Sequence, residues 1–326
     1  MKRRYFILMT FFMGLSFIIS SCSEEDETTL INDLIKKSVG PNIAGNEIQF
    51  AYVVVAPYSG LDAAYVEASI PGADGSGFEP YSYHTNSSGQ DIGVTVASDC
   101  LTTGGKSQAI FIDTLAATLR YHYIIPEEAR GKSVSFRFSC KGKDGTMVTY
   151  QAQDQKIAKI QMRKGIVVSS GNRCYVSIKN MAAYTLQEVQ EQGLMEEIDL
   201  IYNYKVVPGV NYGHSFLSPG SPSEFMEGAI VPAGANNVSK VEKQVYTFDR
   251  QLVIDPSREP SSGGYSFVDD IDFDTYEPGA ALSYVLNMAR GESIWAVSAD
   301  GKKKAFVQVN SLAAGTMTVS LKSYEK

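Results

Sequence analysis

Histidine, cysteine and tryptophan are scarce in this chain: three, four and one in 326 residues. His84, His122 and His214 lie far apart, and no Cys-x-x-Cys or Cys/His spacing occurs, so the sequence offers no zinc site and no metal is expected. No Gly-x-Ser-x-Gly turn is present to expose a serine nucleophile. His214, in Gly213-His214-Ser215, is the one histidine beside a hydroxyl in a loop-like stretch, and it reads as a hydrogen-bonded loop residue. Clustered cations are also missing. With 29 basic and 36 acidic residues the formal charge is −7, which excludes the polyanion-binding surface that a nucleic acid requires. No repeat of fixed period occurs, which excludes a solenoid or propeller. Nothing calls for a cofactor, and the expectation is a protein that is not an enzyme.

Long apolar runs are lacking too. The one candidate, Tyr5 to Ile19, falls short of the roughly 20 residues that cross a bilayer. It follows Lys2, Arg3 and Arg4 and ends at Ser20-Ser21-Cys22, the pattern of a bacterial lipoprotein leader over residues 1–21 with Cys22 as the acylated residue. Loss of residues 1–21 removes three positive charges and no negative ones, taking the formal charge from −7 to −10. The acidic run Ser23-Glu24-Glu25-Asp26-Glu27 resembles a surface-export tether, which places the expected address at the outer membrane, facing the cell exterior. With Cys22 lipidated, Cys100, Cys140 and Cys174 allow at most one bridge; Cys140 and Cys174 sit in β-like runs and read as small buried hydrophobes.

What the chain has in quantity is period two. After a tether and linker over 22–45, in which Thr28 to Ser38 reads as a short helix broken by Gly40-Pro41-Asn42, strand patterns begin at Ile48. Gln49–Val55, Ile92–Val96, Gln108–Ile112, Leu119–Ile125, Lys132–Phe138, Thr146–Tyr150 and Ile157–Met162 are rich in β-branched and aromatic residues. Short strands separated by Gly, Asp and Ser clusters predict an immunoglobulin- or cadherin-like β-sandwich over 46–163. The part over 164–326 reads as a second β-rich, α+β domain. Its strands are expected at Cys174–Ile178, Glu197–Tyr204, Gln244–Ile254, Ser293–Val297, Lys304–Val309 and Thr316–Lys322, with a capped helix at Thr185–Gln192 and a loop-rich section over Val207–Gly234.

The runs Ala116–Tyr121, Ile125–Lys132, Glu197–Tyr202, Gly213–Pro219 and Val268–Phe273 make the chain resemble a family of uncharacterised Bacteroides lipoproteins that carry a domain-of-unknown-function label. The resemblance spans nearly all of the chain past the leader. It implies a mainly β fold and a gut-anaerobe cell surface, and supplies no activity or site residue.

Two clusters carry candidate chemistry. Asp270-Ile271-Asp272-Phe273-Asp274 opens like a calcium loop, but Thr275 stands where the turn glycine belongs and Ala281 where the bidentate glutamate belongs, so a half-buried strand is the reading. Trp295 is expected in the core. Aromatics in Gly/Ser/Pro-rich stretches remain as candidate ligand contacts: Tyr81, Tyr83 and His84, with Phe78 beside them, and Tyr212 and His214. The functional expectation is a non-catalytic, surface-anchored glycan-binding accessory protein; the alternative is a structural or adhesive module that binds another protein.

Overall fold

The structure is a computed structural model that describes residues 30–208, 210–244, 248–258, 265–279 and 281–326. The leader, Cys22 and the acidic run after it lie outside the described residues.

The first half holds strands β1 (Ile31–Lys36), β2 (Glu47–Val55), β3 (Leu61–Ala68), β4 (Gly77–Thr85), β5 (Asp91–Thr95), β6 (Ala97–Thr103), β7 (Lys106–Phe111), β8 (Ala116–Ile124), β9 (Ser133–Val134), β10 (Phe136–Gly142), β11 (Met147–Gln151) and β12 (Gln155–Lys156). Two five-stranded antiparallel sheets, in the orders β1-β2-β8-β4-β5 and β11-β10-β3-β7-β6, pack face to face as a sandwich. The cause is strict alternation. Along β8 Ala117, Leu119, Tyr121 and Tyr123 are buried while Thr118, Arg120 and His122 face outward. Ile48, Phe50, Tyr52 and Val54 of β2 and Phe136, Phe138 and Cys140 of β10 complete the core. Phe50 meets Phe136 and Phe138 with ring centroids at 5.0 and 5.4 Å, and Tyr123 meets Phe136 edge-on at 4.9 Å, the tilted geometry that aromatic quadrupoles favour.

The expected helix over 28–38 is instead a strand where it is described. β1 pairs with β2 from Ile31 opposite Val55 to Lys36 opposite Phe50. Ile31, Leu34 and Ile35 fit a helical stripe, but so short an isolated helix gains little. The free edge of β2 offers a full ladder, and the Asn32 amide donates to the buried Tyr52 hydroxyl at 3.0 Å.

The second half contains β13 (Gln161–Ser169), β14 (Tyr175–Ser177), β15 (Ala182–Tyr184), β16 (Leu200–Val207), β17 (Val210–Leu217), β18 (Lys240–Gln244), β19 (Phe248–Asp249), β20 (Tyr265–Ser266), β21 (Tyr284–Val285), β22 (Ser293–Val297), β23 (Lys303–Ala313) and β24 (Thr316–Glu325), with helices α1 (Leu186–Glu191), α2 (Ser223–Met226) and α3 (Asp270–Thr275). Sheets β13-β24-β23-β22-β18 and β15-β14-β16-β17-β21 enclose a core around Leu200, Tyr202, Phe216, Ile294, Val307 and Val319. The protein is therefore mainly β, in two β-rich parts. The helix expected after Thr185 is present, with the Thr185 hydroxyl and Glu188 carboxylate forming a capping box. Where one strand was expected over Gln244–Ile254, β19 gives way to a 3₁₀ turn, Arg250–Leu252.

Two further expectations are corrected. Asp269 to Asp274 form no strand: Asp269 caps α3, accepting from Ile271 N at 2.8 Å, and Asp272 returns the bond by accepting from Asp269 N at 2.9 Å. Asp at the third helical position performs the role that Glu usually takes. The section over 207–234 is not one loop, since β17 pairs with β16 through six register positions. Gly213, at φ 52°, sits inside that strand because a Cβ there would lie 2.8 Å from the Asn287 side chain.

The sheet containing β24 also has a buried second face. Trp295, Phe306, Lys322 and Tyr324 point into a layer made by α3, residues 249–252 and 267–268, and Ile43, Ala158 and Ile160 from the junction between the halves. Lys322 is fully buried; its Nζ donates to Asp249 Oδ2 at 2.6 Å, Gln251 Oε1 at 2.8 Å and the Val268 carbonyl at 2.8 Å. Burial pulls the pKa of this ammonium down, and Asp249 beside it pulls it back up. Gln251 then donates to the Pro41 carbonyl at 3.0 Å, and both carboxylate oxygens of Asp270 accept from the Lys159 and Ile160 amides at 2.9–3.1 Å. Removing one member of a buried pair leaves the other charge uncompensated. Lys322→Met should therefore lower unfolding free energy by about 3–5 kcal/mol, measured in urea by the fluorescence of Trp295, which packs in the same layer. A loss below about 1 kcal/mol would mean that the pair contributes no more than a surface ion pair does.

Candidate functional site

The outward face of the first sheet gathers the polar and aromatic groups that the sandwich does not bury. β8 supplies Arg120 and His122 by simple alternation. β4 supplies the rest through an irregularity: Phe78 pairs with Tyr121 and Ser82 with Leu119, so Glu79, Pro80 and Tyr81 stand opposite one residue. Such a bulge re-aims side chains. Proline fits there because its missing N–H is not needed, and its carbonyl accepts from Val96 N at 2.9 Å.

The result is a connected row. His122 Nδ1 lies 2.8 Å from Glu47 Oε1, and its Nε2 bonds to Glu79. Both neighbours are carboxylates, which only accept, so the ring satisfies both when each nitrogen carries a proton. The Tyr83 hydroxyl also donates to Glu79, and this bond pushes its pKa up to about 12. The Arg120 guanidinium covers one face of the Tyr83 ring at 3.8 Å and pairs with Asp91, whose carboxyl is held below its usual range first by the Thr85 hydroxyl and also by Arg120. Tyr81 meets Tyr83 edge-on at 6.3 Å and stays 40% exposed. Under them lies Gly93, where a Cβ would stand 3.1 Å from the Tyr83 ring, so glycine leaves the aromatic its seat.

The site residues expected from sequence are only partly brought together. Tyr81 and Tyr83 are neighbours, but on strand β4, not in a loop. His84 is exposed on the same strand, paired with Ile92, and alternation turns it to the other face. Phe78 belongs to the core at 7% exposure. Tyr212 and His214 lie in the second half, on β17, also not in a loop. The Tyr212 hydroxyl donates to the Glu224 carbonyl, and His214 Nδ1 bonds the buried Tyr202 hydroxyl at 2.7 Å. Burial pushes the His214 pKa down. Sequence reasoning missed Glu47, Glu79 and Arg120; the outward positions of β8 were the available signal.

Asp269, Asp272 and Asp270 are engaged with backbone donors and Asp274 with the Tyr324 hydroxyl. Among the described residues no three metal-ligating side chains converge. Cys100, Cys140 and Cys174 are free thiols, and burial pushes Cys140 up to about 12.

The electrostatics of the row are open to a direct check. A carboxylate acceptor favours the protonated phenol, so Glu79→Gln should bring Tyr83 down from about 12 toward the ordinary tyrosine value. Titration of ring-labelled tyrosine by NMR measures this, and an unmoved Tyr83 would show that Glu79 does not hold it.

A family model described as a domain of unknown function (DUF4466) matches residues 27–157, and a second such domain (DUF8576) matches residues 158–326. No curated protein matches the chain. The crystal structure of a DUF4466 family protein from Parabacteroides merdae is 40% identical, covers 92% of this chain and 99% of its own, and superposes with a TM-score of 0.84. The Bacillus cereus major pilin subunit BcpA is 7% identical over 90% of this chain and 65% of its own, with a TM-score of 0.27. The Actinomyces fimbrial adhesin FimA is 8% identical over 91% of this chain and 100% of its own, with a TM-score of 0.28. At 40% identity over nearly the whole length of a solved member, the chain belongs to the DUF4466 family.

Proposed function

We propose that this protein is a non-catalytic, lipid-anchored cell-surface protein of Bacteroides type that binds glycans on the outward face of its first sheet. The observation that carries the reading is the exposed Tyr81 beside a Tyr83 fixed by Arg120 and Glu79. An aromatic ring that needs no ordering on binding stacks on the C–H face of a sugar at small entropic cost. Around it, Glu47, Asp91 and Arg120 supply acceptors and planar donors for ring hydroxyls. Anchorage through Cys22 and export to the outer face of the outer membrane rest on the sequence of residues 1–27.

A second reading keeps one specific observation in its favour. β5 is an edge strand whose five residues are all exposed, Ile92 and Val94 among them. Such an edge can accept a strand from another chain, as an adhesive or structural module would.

Intact cells displaying the wild type, Tyr81→Ala/Tyr83→Ala and Cys22→Ser, each probed with a panel of fluorescent glycans and with an antibody, separate these readings. The wild type should bind at least one glycan without releasing products. The double variant should stay displayed while losing about tenfold in affinity, the worth of about one stacked ring with its contacts. Cys22→Ser should leave the cell surface. Unchanged binding in the double variant would remove this face from the account, and absence of glycan binding would favour the adhesive reading.

A further inference from the structure

A groove of about 530 Å³ lies on the seam between the two halves, far in sequence from the Tyr81 face. Arg130 reaches it from the turn after β8, Lys159 from the junction, Gln161 from the start of β13, Lys179 from the turn between β14 and β15, and Lys303 from β23. Four cations thus line one cavity of a protein whose formal charge is −7.

Their carboxylate partners do not match them one for one. Glu197 pairs with both Lys179 and Lys303, each at 2.9 Å, and Asp199 and Glu325 also act on Lys303 from a longer distance. Arg130 pairs with Glu127, and with the Gln161 amide turned so that its oxygen faces Arg130, that oxygen accepts from both Nη atoms at 2.5 and 2.6 Å. Arg130 Nε is nevertheless buried with no hydrogen-bond partner, which costs free energy. Lys159 has no carboxylate partner among the described residues; its Nζ stands 6.0 Å over the Tyr324 ring. Glu325 is the one carboxylate that lines the groove itself.

We propose that this groove binds an acidic glycan segment, with a carboxylate or sulfate group held between Lys159 and Arg130 and flanked by Lys179 and Lys303. The proposal rests on the glycan-binding reading and assigns it a second site and a substrate class. Guanidinium and ammonium groups are the natural partners of both anions, and the guanidinium fork favours planar, bidentate contact. The volume falls within the range of small-ligand sites, which favour domain interfaces. The backbone that carries Lys159 is held in place, since the Lys159 and Ile160 amides are tied to Asp270.

Calorimetric titration of the intact protein with a uronate oligosaccharide, a sulfated oligosaccharide and a neutral oligosaccharide tests this. The variants are Lys159→Glu, Arg130→Gln and Tyr81→Ala/Tyr83→Ala; Lys159 is exposed, so its exchange does not threaten the fold. Binding of at least one acidic ligand is expected, weakened about tenfold by Lys159→Glu, weakened by added salt, and unchanged by the double tyrosine variant. The uronate and sulfate arms identify which anion is preferred. No binding of either acidic ligand, or acidic binding untouched by both Lys159→Glu and Arg130→Gln, would overturn the proposal. Acidic binding lost only in the double tyrosine variant would overturn it while leaving the outward face as a glycan site. Acidic binding lost in Lys159→Glu, with no tyrosine-dependent binding of any ligand, would support the groove and remove the face.

Discussion

Lys322 spends its three ammonium protons inside the protein, on Asp249, Gln251 and the Val268 carbonyl, and each acceptor belongs to a segment that would otherwise have little reason to lie where it does. Asp249 in turn accepts from Gln251 N and Val268 N, and its own amide donates to Gln308. A buried ion pair seldom adds stability over a well-packed apolar pair, because desolvating two charges costs several kcal/mol. Its strength lies in leaving few alternative arrangements: an ammonium without water must find its acceptors in one geometry. The segments 249–252 and 267–268 are fixed by that demand. Lys304 repeats the device one strand away, donating to the Phe273 and Tyr276 carbonyls at the end of α3.

The consequence reaches the first half of the chain. Through Gln251 to Pro41 and Asp270 to Lys159 and Ile160, the layer over β24 grips both strands of the junction, which pair with each other where Asn42 meets Ile157. Ile43, fully buried, sits in the second half's cluster although it precedes β2. Gly40, at φ 84°, has the Phe267 ring 2.8 Å from where a Cβ would be. The junction is packed like a core, and the seam groove has walls from both halves that are held in register.

The elements legible in sequence were those whose signal is local. Alternation in β8, the Thr185 and Glu188 capping pair and the Ser293–Val297 strand follow from neighbours a few residues apart. Tyr81 and Tyr83 stood out as aromatics, yet Gly72, Gly75, Gly77 and Pro80 made their surroundings read as a loop. The bulge at Glu79–Tyr81 breaks period two at the position where the site is built. His122 meets Glu47 and Glu79 only through strand order, 75 and 43 residues away in sequence, and no local pattern carries that. β1 reads as helical in sequence because the edge it pairs with lies outside its own segment. The acids over 269–274 read as a calcium loop or a strand, whereas Asp269, Asp270 and Asp272 serve backbone amides and Asp274 the Tyr324 hydroxyl.

The two halves form one cooperative body joined through the Gln251–Pro41 and Asp270 contacts. Native-state hydrogen exchange of the Lys159 and Ile160 amides addresses it most directly, since both donate to Asp270 across the junction. The account predicts that they exchange with the slow amides of β23 and β24, opening only when the second half unfolds as a whole. Exchange at the rate of exposed loop amides, while β23 and β24 stay protected, would show that the halves separate freely and would contradict it.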